Sequence, residues 1–345
     1  MKHRLLHLLL FLPLFTAAQT PQLVADISLN GSGLSQAHTD FVNLGDKAII
    51  VGDNGPQGRE PFVVNGSGVI MLKDIAAGEP DSDPDFLVYF DNKVYFVATG
   101  PEGRELWSTD GTPAGTKIVY DLMPGPVGSV PRDLFVSASN QLYFTADSKL
   151  FLLEAGSSIP LHIPLDAVPD LTPEEITKGV KIVSYKDGIA FAATDLSDSL
   201  EIWRTNGTAA GTFRVAALPG DFLGQAYGLM TVKDRLLFVV KNTFSALSSN
   251  GFYSCAGAPG SPLEQITAAN ALPERFLPAG ADLAFWVSAD GMYSSDGTLA
   301  GTVKLTGPLQ PYFTEGKLFA YIWHDGKIMF APEQVMSFKD RKSVV

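Results

Sequence analysis

The chain has 345 residues, with 37 acidic against 25 basic side chains and a formal net charge of −12. So acidic a chain repels phosphate backbones and anionic lipid surfaces, which argues against nucleic acid and membrane-surface partners. Its 33 Gly, 23 Pro and 46 % apolar residues predict an all-β domain rich in turns, and Cys255, the only cysteine, excludes an intramolecular disulfide.

Residues 1–18 have the pattern of a secretory signal peptide. Basic residues precede the apolar run 5–15, and small residues follow it before Gln19. A membrane anchor is the alternative, but the run is shorter than the roughly 20 residues that a bilayer span needs, and Pro13 interrupts it. We expect export with removal of 1–18, which leaves 19–345 as a single domain in the periplasm or outside the cell, without membrane insertion.

The most regular stretch is 103–125, GRELWSTDGTPAGTKIVYDLMPG. Residues 105–109 and 117–120 are short runs that contain aromatic and β-branched side chains, so they predict two strands. Between them, 110–116 holds Asp-Gly, Pro and a second Gly, which are turn residues. The stretch therefore predicts a β-hairpin with a slightly long turn, and residues 86–97 in front of it predict two further strands.

A turn followed by a strand recurs along the whole chain. The third residue of each such turn marks seven anchors at spacings of 45 to 48 residues: Lys47, Lys93, Gln141, Gly188, Arg235, Asp282 and Lys327. A hairpin strand follows each anchor, at 61–64, 106–109, 150–153, 202–205, 252–255, 292–295 and 335–338. Four short strands in a unit of this length are typical of a β-propeller blade. We predict a β-propeller of seven four-stranded blades.

The two ends of the chain predict how the ring closes. Residues 23–27 match the fourth-strand pattern of 71–75 and 118–122, but they precede any first strand. At the other end, residues 317–338 predict three strands without a fourth. We therefore expect the N-terminal strand to complete the last blade, which removes the open edges of the ring.

The copies of the unit are unequal. The motif is nearly complete at 201–212, and its turn is intact at 294–302, whereas the unit at 149–188 keeps little of it. That unit also holds the one helical pattern, residues 172–176, with Thr172 as N-cap and a proline at the first position. We expect a short helix or turn that decorates the ring.

The stretches 103–125, 201–212 and 294–302 resemble the ELWxTDGT-repeat proteins of bacteria, exported proteins sometimes labelled hyalin-like. Weaker matches to the motif extend over residues 23–338. The resemblance implies an exported, propeller-forming, non-enzymatic module of a kind often found in larger surface proteins. It implies no catalytic residue, because the family shares none.

Two repeated positions carry side chains that could do chemistry. One is aromatic, at Phe62, Trp107, Trp203, Tyr253 and Tyr293. Sugar stacking by one of these competes with packing by all of them, and their repetition favours packing between blades. The other position is acidic, at Glu60, Glu105 and Glu201. Acid–base catalysis is conceivable there, but repetition again favours ion pairs or turn contacts.

Candidate metal and nucleotide sites fail on geometry. Asp81, Asp83 and Asp85 have the alternate spacing of a calcium loop, but Pro84 lies inside it and Phe86 takes the place of the required glycine. The histidines after the signal peptide, each without a ligating partner nearby, are His38, His162 and His324. Phosphate-binding glycine loops and GxSxG elbows are absent from the sequence. We predict no catalytic residue, no metal and no cofactor, and the ligand-binding residues stay unknown at this stage.

These observations predict a monomeric, non-enzymatic binding propeller with a glycan or protein partner. A propeller enzyme, a glycan hydrolase or lyase with its site at the channel mouth, is the alternative from another class, and a structural ring used in adhesion is the third. An enzyme would show two or more carboxylates, or a histidine with carboxylates, that break the repeat pattern and converge. A binding module would show exposed aromatic side chains there without such a cluster.

Overall fold

A computed structural model shows the chain as a series of β-sheets. It describes residues 41–170, 181–195, 199–218, 225–241, 250–267, 272–273, 275–277, 282–288, 291–305, 318–324, 327–332 and 343–344. Within these ranges every regular element is a β-strand, which confirms the predicted all-β class. In the same ranges no helix is long and apolar enough to cross a membrane.

Several sequence predictions lie outside the described residues. They concern the signal peptide 1–18, the closing strand 23–27, the helix or turn at 172–176 and the strand at 335–338. These four stay predictions.

Among the described residues, the strands form seven antiparallel sheets, five of which have four strands in chain order. The first three sheets consist of β1 (Phe41–Leu44), β2 (Lys47–Asp53), β3 (Arg59–Asn65) and β4 (Gly68–Met71); β5 (Asp85–Phe90), β6 (Lys93–Gly100), β7 (Gly103–Thr109) and β8 (Lys117–Tyr120); and β9 (Arg132–Val136), β10 (Gln141–Ala146), β11 (Lys149–Glu154) and β12 (Leu161–Ile163).

The fourth sheet has five strands and the last has three among the described residues. The strands of the remaining sheets are β13 (Val168–Asp170), β14 (Ile182–Tyr185), β15 (Gly188–Thr194), β16 (Leu200–Thr205) and β17 (Phe213–Ala217); β18 (Gln225–Val232), β19 (Arg235–Lys241), β20 (Gly251–Cys255) and β21 (Glu264–Thr267); β22 (Arg275–Leu277), β23 (Ala284–Ser288), β24 (Gly291–Ser295) and β25 (Val303–Lys304); and β26 (Leu318–His324), β27 (Lys327–Pro332) and β28 (Ser343–Val344).

The predicted anchors coincide with strand starts. Six of the seven are the first residue of a strand, and Asp282 precedes β23 by two residues. The predicted hairpin is also present, because β7 and β8 pair in antiparallel register with Trp107 opposite Ile118. Turn chemistry and strand patterning are local properties of the sequence, and here they locate the strands to within two residues.

Consecutive sheets pack face to face through the first six sheets. In β6, Phe96 faces the first sheet, where it packs in a cluster with Ile49, whereas its neighbour Tyr95 packs with Phe144 of the third sheet. Equivalent clusters join each following pair of sheets up to the sixth. Successive side chains of a strand point to opposite faces, so a strand that is covered on both faces needs an unbroken apolar run. This explains the run VYFVA in β6.

Candidate functional site

The turn of the repeated motif is a closed network of hydrogen bonds. Asp110 Oδ1 accepts bonds from the backbone N and the Oγ1 of Thr112, at 3.0 and 2.6 Å. Thr112 Oγ1 accepts a bond from Gly115 N, and the hydroxyls of Thr109 and Thr116 lie 2.8 Å apart. The same set of contacts recurs in the turns at 205–212 and 295–302. The polar side chains of the motif's turn thus form hydrogen bonds within that turn and stabilise it.

The second glycine of the motif is required by that network. A Cβ on Gly115 would lie 2.0 Å from Asp110 Oδ1, and a Cβ on Gly211 would lie 1.9 Å from the equivalent Asn206 atom. Both contacts are far below van der Waals distance, so any side chain there must displace the residue that caps the turn. The motif therefore has a structural explanation that needs no ligand.

Glu60 and Glu105 hold the loops that connect one sheet to the next. Glu105 is fully buried and accepts bonds from Ser129 N at 2.6 Å and from Ser129 Oγ at 2.5 Å. Glu60 accepts equivalent bonds from Ser82 Oγ at 2.6 Å and from the backbone N of Ile75 at 3.1 Å. Burial raises the pKa of both carboxyl groups, and the serine hydrogen bonds partly oppose it. The predicted turn contacts are thus found for both residues.

Glu201 has different partners at the same repeat position. Its carboxylate forms an ion pair with Arg214 at 2.7 Å and accepts a hydrogen bond from Trp203 Nε1 at 2.6 Å. The Arg214 side chain is 55 % exposed, whereas that of Glu201 is 3 % exposed. The sequence predicted ion pairs or turn contacts for the three glutamates, and Glu201 forms an ion pair.

The repeated aromatic residues pack between sheets. Phe62, Trp107 and Tyr253 are at least 94 % buried, with exposed fractions of 5, 5 and 6 %. Trp203 and Tyr293 are partly buried and pack against the clusters of their own sheets. The predicted packing between sheets is thus found for Trp107, Trp203, Tyr253 and Tyr293, which belong to clusters that join neighbouring sheets, whereas for Phe62 the structure shows burial alone.

The other residues that the sequence singled out are dispersed. Asp81 Oδ1 accepts a bond from Arg59 N at 2.8 Å, and Asp83 pairs with the Arg59 side chain at 3.0 Å. His162 is exposed and lies against the Phe151 ring, with 5.5 Å between the ring centroids. His38 lies outside the described residues, and His324 ends β26. Asp81, Asp83 and His162 do not line the cavity described next.

A cavity of about 440 Å³ lies at the end of the third sheet where β9 begins and β10 ends. Its walls are the loop between β8 and β9, the β10–β11 turn and strand β13. The residues that line it are Met123, Val127, Gly128, Ser129, Val130, Arg132, Asp133, Thr145, Ala146, Asp147, Ser148, Val168 and Pro169. The volume is within the range of about 300–1,000 Å³ that is common for small-ligand sites.

The loop that forms one wall is fixed to the second sheet. Glu105 binds Ser129, and Val130 N donates to Arg104 O at 3.0 Å. Gly128 approaches the backbone so closely that a Cβ there would lie 2.4 Å from Arg104 N, and its φ is +70°. The buried glutamate thus acts indirectly, because it positions a wall of the cavity.

The floor of the cavity lies at a β-bulge in β9. Tyr143 pairs with Phe135 and Thr145 pairs with Arg132, so two residues of β9 lie opposite Phe144 alone. The second and fifth sheets have the same bulge, and its first residue has positive φ each time, at Phe86, Asp133 and Gly228 with +53, +59 and +65°. The bulge is therefore part of the repeated framework, and only its side chains differ.

Two polar residues replace framework residues at this bulge. Asp133 occupies the place of Phe86 and Gly228, and Thr145 occupies the place of Val97 in β6. Both are 8 % exposed, and Thr145 Oγ1 donates to Asp133 Oδ2 at 2.9 Å. Burying a carboxylate is costly unless it is hydrogen-bonded, and Thr145 supplies one such bond here. The third sheet thus has a hydrogen-bonded polar pair where the second sheet has Phe86 and Val97.

The mouth of the cavity is apolar and exposed, with a second carboxylate at its rim. Met123, Val127 and Val168 are 39, 74 and 41 % exposed. Asp147, in the β10–β11 turn, is also exposed and pairs with Lys149 at 2.6 Å. None of the described residues that line the cavity is aromatic. The cavity thus combines a buried polar floor with an apolar entrance.

Sequence reasoning missed Asp133 and Thr145. The signal that could have found them is a comparison of equivalent repeat positions, because a polar residue appears where other copies have an apolar one. Counting residues back from the anchors does not align Asp133 with Phe86. Phe86 lies seven residues before its anchor Lys93, whereas Asp133 lies eight before Gln141. The longer turn ahead of β10 shifts the register.

Comparison with known proteins identifies similar solved structures only. No family model matches the chain, and no curated protein matches it. It is similar to streptogramin B lyase, at 14 % identity over 87 % of this chain and 93 % of that one, with a TM-score of 0.41. It spans about half of a Mycobacterium tuberculosis puromycin-hydrolyzing peptidase, at 10 % identity over 89 % of this chain and 53 % of that one, with a TM-score of 0.45.

A third similar structure is TolB from Acinetobacter baumannii, at 10 % identity over 76 % of this chain and 63 % of that one, with a TM-score of 0.36. At these identities the likeness concerns the arrangement of sheets and gives no argument about function.

Proposed function

We propose that the protein is an exported, monomeric β-propeller of seven blades that acts as a non-enzymatic binding module for a glycan or protein partner. The even spacing of the anchors and the face-to-face packing of consecutive sheets support the blade arrangement. We further propose that residues 23–27 complete the last blade. Deletion of 19–30 should then lower the melting temperature far more than trimming an ordinary chain terminus does, because it reopens a sheet edge.

We propose that the partner is recognised in the cavity at the end of the third sheet. The observation that carries this proposal is the polar pair of Asp133 and Thr145 at positions where the second and fifth sheets, which share the bulge, have apolar residues or glycine. Residues that break the rules of their own framework are expected at functional or strained sites. The apolar mouth adds area for contact, as is usual for binding sites.

The enzyme alternative has a specific observation in its favour. Two carboxylates, those of Asp133 and Asp147, line the same cavity. However, Asp147 is exposed and paired with Lys149, and the carboxyl groups with raised pKa values, Glu60 and Glu105, hold loops by hydrogen bonds. Acid–base catalysis requires a group that is free to exchange its proton with substrate. These surroundings of the carboxylates favour binding over turnover, although the exposed aromatic side chains expected of a binding module are absent from the described cavity lining.

The test is thermal unfolding of residues 19–345 with a panel of glycans, amino acids and peptides. A ligand at 100 times its Kd stabilises the folded protein by about 2.7 kcal/mol, which shifts the melting temperature by a few degrees. The matched variant is Asp133→Phe with Thr145→Val, which restores the residues of the second sheet. We expect it to keep or raise the melting temperature and to abolish the ligand shift.

Two outcomes would contradict the proposal. One is a ligand shift that survives the double variant unchanged. The other is the absence of any shift across the panel, which would refute recognition of a small ligand in the cavity and leave a protein partner or a structural ring. Product formation from any ligand that does shift the wild-type protein, lost in Asp133→Asn, would establish the enzyme alternative instead.

A further inference from the structure

The bulge brings two opposite charges into one cavity. Arg132 and Asp133 are adjacent in β9, and in a regular strand their side chains would point to opposite faces of the sheet. Both nevertheless line the cavity, because Asp133 has φ +59° and lies in the bulge. Bulges re-aim side chains in this way at functional sites. A cationic residue and an anionic residue thus both line the cavity.

The two charges differ in their surroundings. Asp133 is buried, and Thr145 fixes its carboxylate by donating a hydrogen bond. A buried, oriented carboxylate binds an ammonium group strongly, because the surrounding medium screens the interaction less than water does. Arg132 is exposed, and its planar guanidinium can bind a carboxylate through two parallel hydrogen bonds. The floor is therefore suited to a ligand that carries both charges a short distance apart.

The mouth adds a preference for an apolar group. Met123, Val127 and Val168 form an exposed apolar rim, and a ligand side chain that covers it removes apolar surface from water. None of the described residues that line the cavity offers an aromatic ring on which a sugar could stack. This combination favours an amino acid or a dipeptide over a glycan.

We propose that the cavity binds a small zwitterion, an α-amino acid or a dipeptide with an apolar side chain. Its ammonium group binds Asp133, its carboxylate binds Arg132, and its side chain packs against the rim of Met123, Val127 and Val168. This inference rests on the proposal that the cavity is a binding site, and it replaces the glycan or protein partner proposed there with a small zwitterion.

The test is calorimetric titration of residues 19–345 with L-leucine and with leucyl-leucine. Each is used in three forms: free, N-acetylated and C-terminally amidated. N-acetyl-glucosamine disaccharide serves as the glycan probe. We expect at least one free form to bind, and each cap to weaken its binding roughly ten- to hundredfold, because each removes one charge-assisted hydrogen-bonded contact.

Two variants test whether Asp133 binds the ammonium group of the ligand and Arg132 binds its carboxylate. Asp133→Asn should weaken the free and amidated forms about tenfold or more and leave the N-acetylated form unchanged, since that form has no ammonium group. Arg132→Gln should weaken the free and N-acetylated forms and leave the amidated form unchanged, since that form has no carboxylate. Matched controls are Asp46→Asn and Lys117→Gln, which remove exposed charges far from the cavity lining and should change no affinity.

The outcomes separate this inference from the proposed function. If the capped forms bind wild-type protein as tightly as the free forms, the zwitterion inference is wrong. If only the disaccharide binds, and Asp133→Asn abolishes its binding, the inference is wrong and the binding function stands. If no probe of any class binds or shifts the melting temperature, the zwitterion inference and the proposed recognition of a small ligand in this cavity are both wrong. The comparison of capped forms needs no variant, so it remains decisive even if a variant fails to fold.

Discussion

Removal of the Ser129 hydroxyl tests how the cavity wall is held. The Oγ atom of Ser129 donates to Glu105 at 2.5 Å, and this glutamate has no exposed surface. Ser129→Ala keeps the backbone N–H bond to the same carboxylate, at 2.6 Å. The substitution therefore deletes one donor to a buried charge without changing the fold of the loop.

The expected cost follows from the charge on the acceptor. A hydrogen bond to a charged group contributes about 1.5–3 kcal/mol, so Ser129→Ala should lower the free energy of unfolding by about 2 kcal/mol at pH 7. For a chain of this length that is a decrease of about 3 °C in melting temperature. The matched control is Ser82→Ala, which removes the equivalent bond to Glu60 in a loop that does not line the cavity.

The stability lost in Ser129→Ala should depend on pH, and the pKa of Glu105 sets the direction of that dependence. Burial raises the pKa of Glu105 above its ordinary value of 4.5, so the folded state binds a proton more readily than the unfolded state does. The contribution of Glu105 to stability through this raised pKa is therefore greatest below about pH 4.5 and is lost as the pH rises through the folded-state pKa. Ser129 lowers that pKa, so its removal should raise it further. The deficit of Ser129→Ala should be largest at neutral pH and should shrink towards pH 4.5.

The assay is thermal unfolding of wild type, Ser129→Ala and Ser82→Ala at several pH values between 4.5 and 7.5. Both variants should lose similar stability with the same pH dependence, but only Ser129→Ala should weaken binding in the cavity. A deficit that is equal at all pH values would refute the role assigned to the buried carboxylate. Equal binding losses in both variants would refute the link between the loop and the cavity.

Three further outcomes are expected. Gly115→Ala should cost about 1–3 kcal/mol because its Cβ displaces the carboxylate of Asp110, whereas Gly66→Ala, which has open space around it, should be nearly neutral in thermal unfolding. Trp286→Ala should cost about 3–5 kcal/mol in the same measurement, because the ring is fully buried. Cys255 is buried and burial raises its pKa, so iodoacetamide should label it only as fast as the protein unfolds, which mass spectrometry can follow.

The strands could be predicted from the sequence because their signals are local. Six of the seven anchors, Lys93 among them, begin strands, and each leading turn contains residues that favour a reversal. Two-sided burial was also predictable, since runs such as 94–98 have no polar face. The roles of Trp107 and Glu105 followed from repetition, because a side chain type that recurs in several copies serves the framework that those copies share.

The cavity could not be predicted from those signals. It depends on the register between β9 and β10, where two residues lie opposite Phe144, and bulges are not marked by any residue type. The bulge residue is Phe86 in one copy and Gly228 in another, so the residue type at this position does not predict the bulge. The loop from Met123 to Val130 reaches the cavity through tertiary contacts with Glu105, which sequence spacing does not reveal.

The position of the cavity follows from what the repeated framework can tolerate. A residue such as Phe96 is covered on its face of the sheet by the neighbouring sheet, so a polar replacement there would leave an unpaired group in a packed core. The bulge residue is off the regular ladder, and the same backbone accepts Phe86, Asp133 or Gly228 with similar positive φ. Changing it leaves the stack of sheets in place. A stacked-sheet protein of this kind can therefore acquire a binding residue at the bulge at lower cost than anywhere in the strands that flank it.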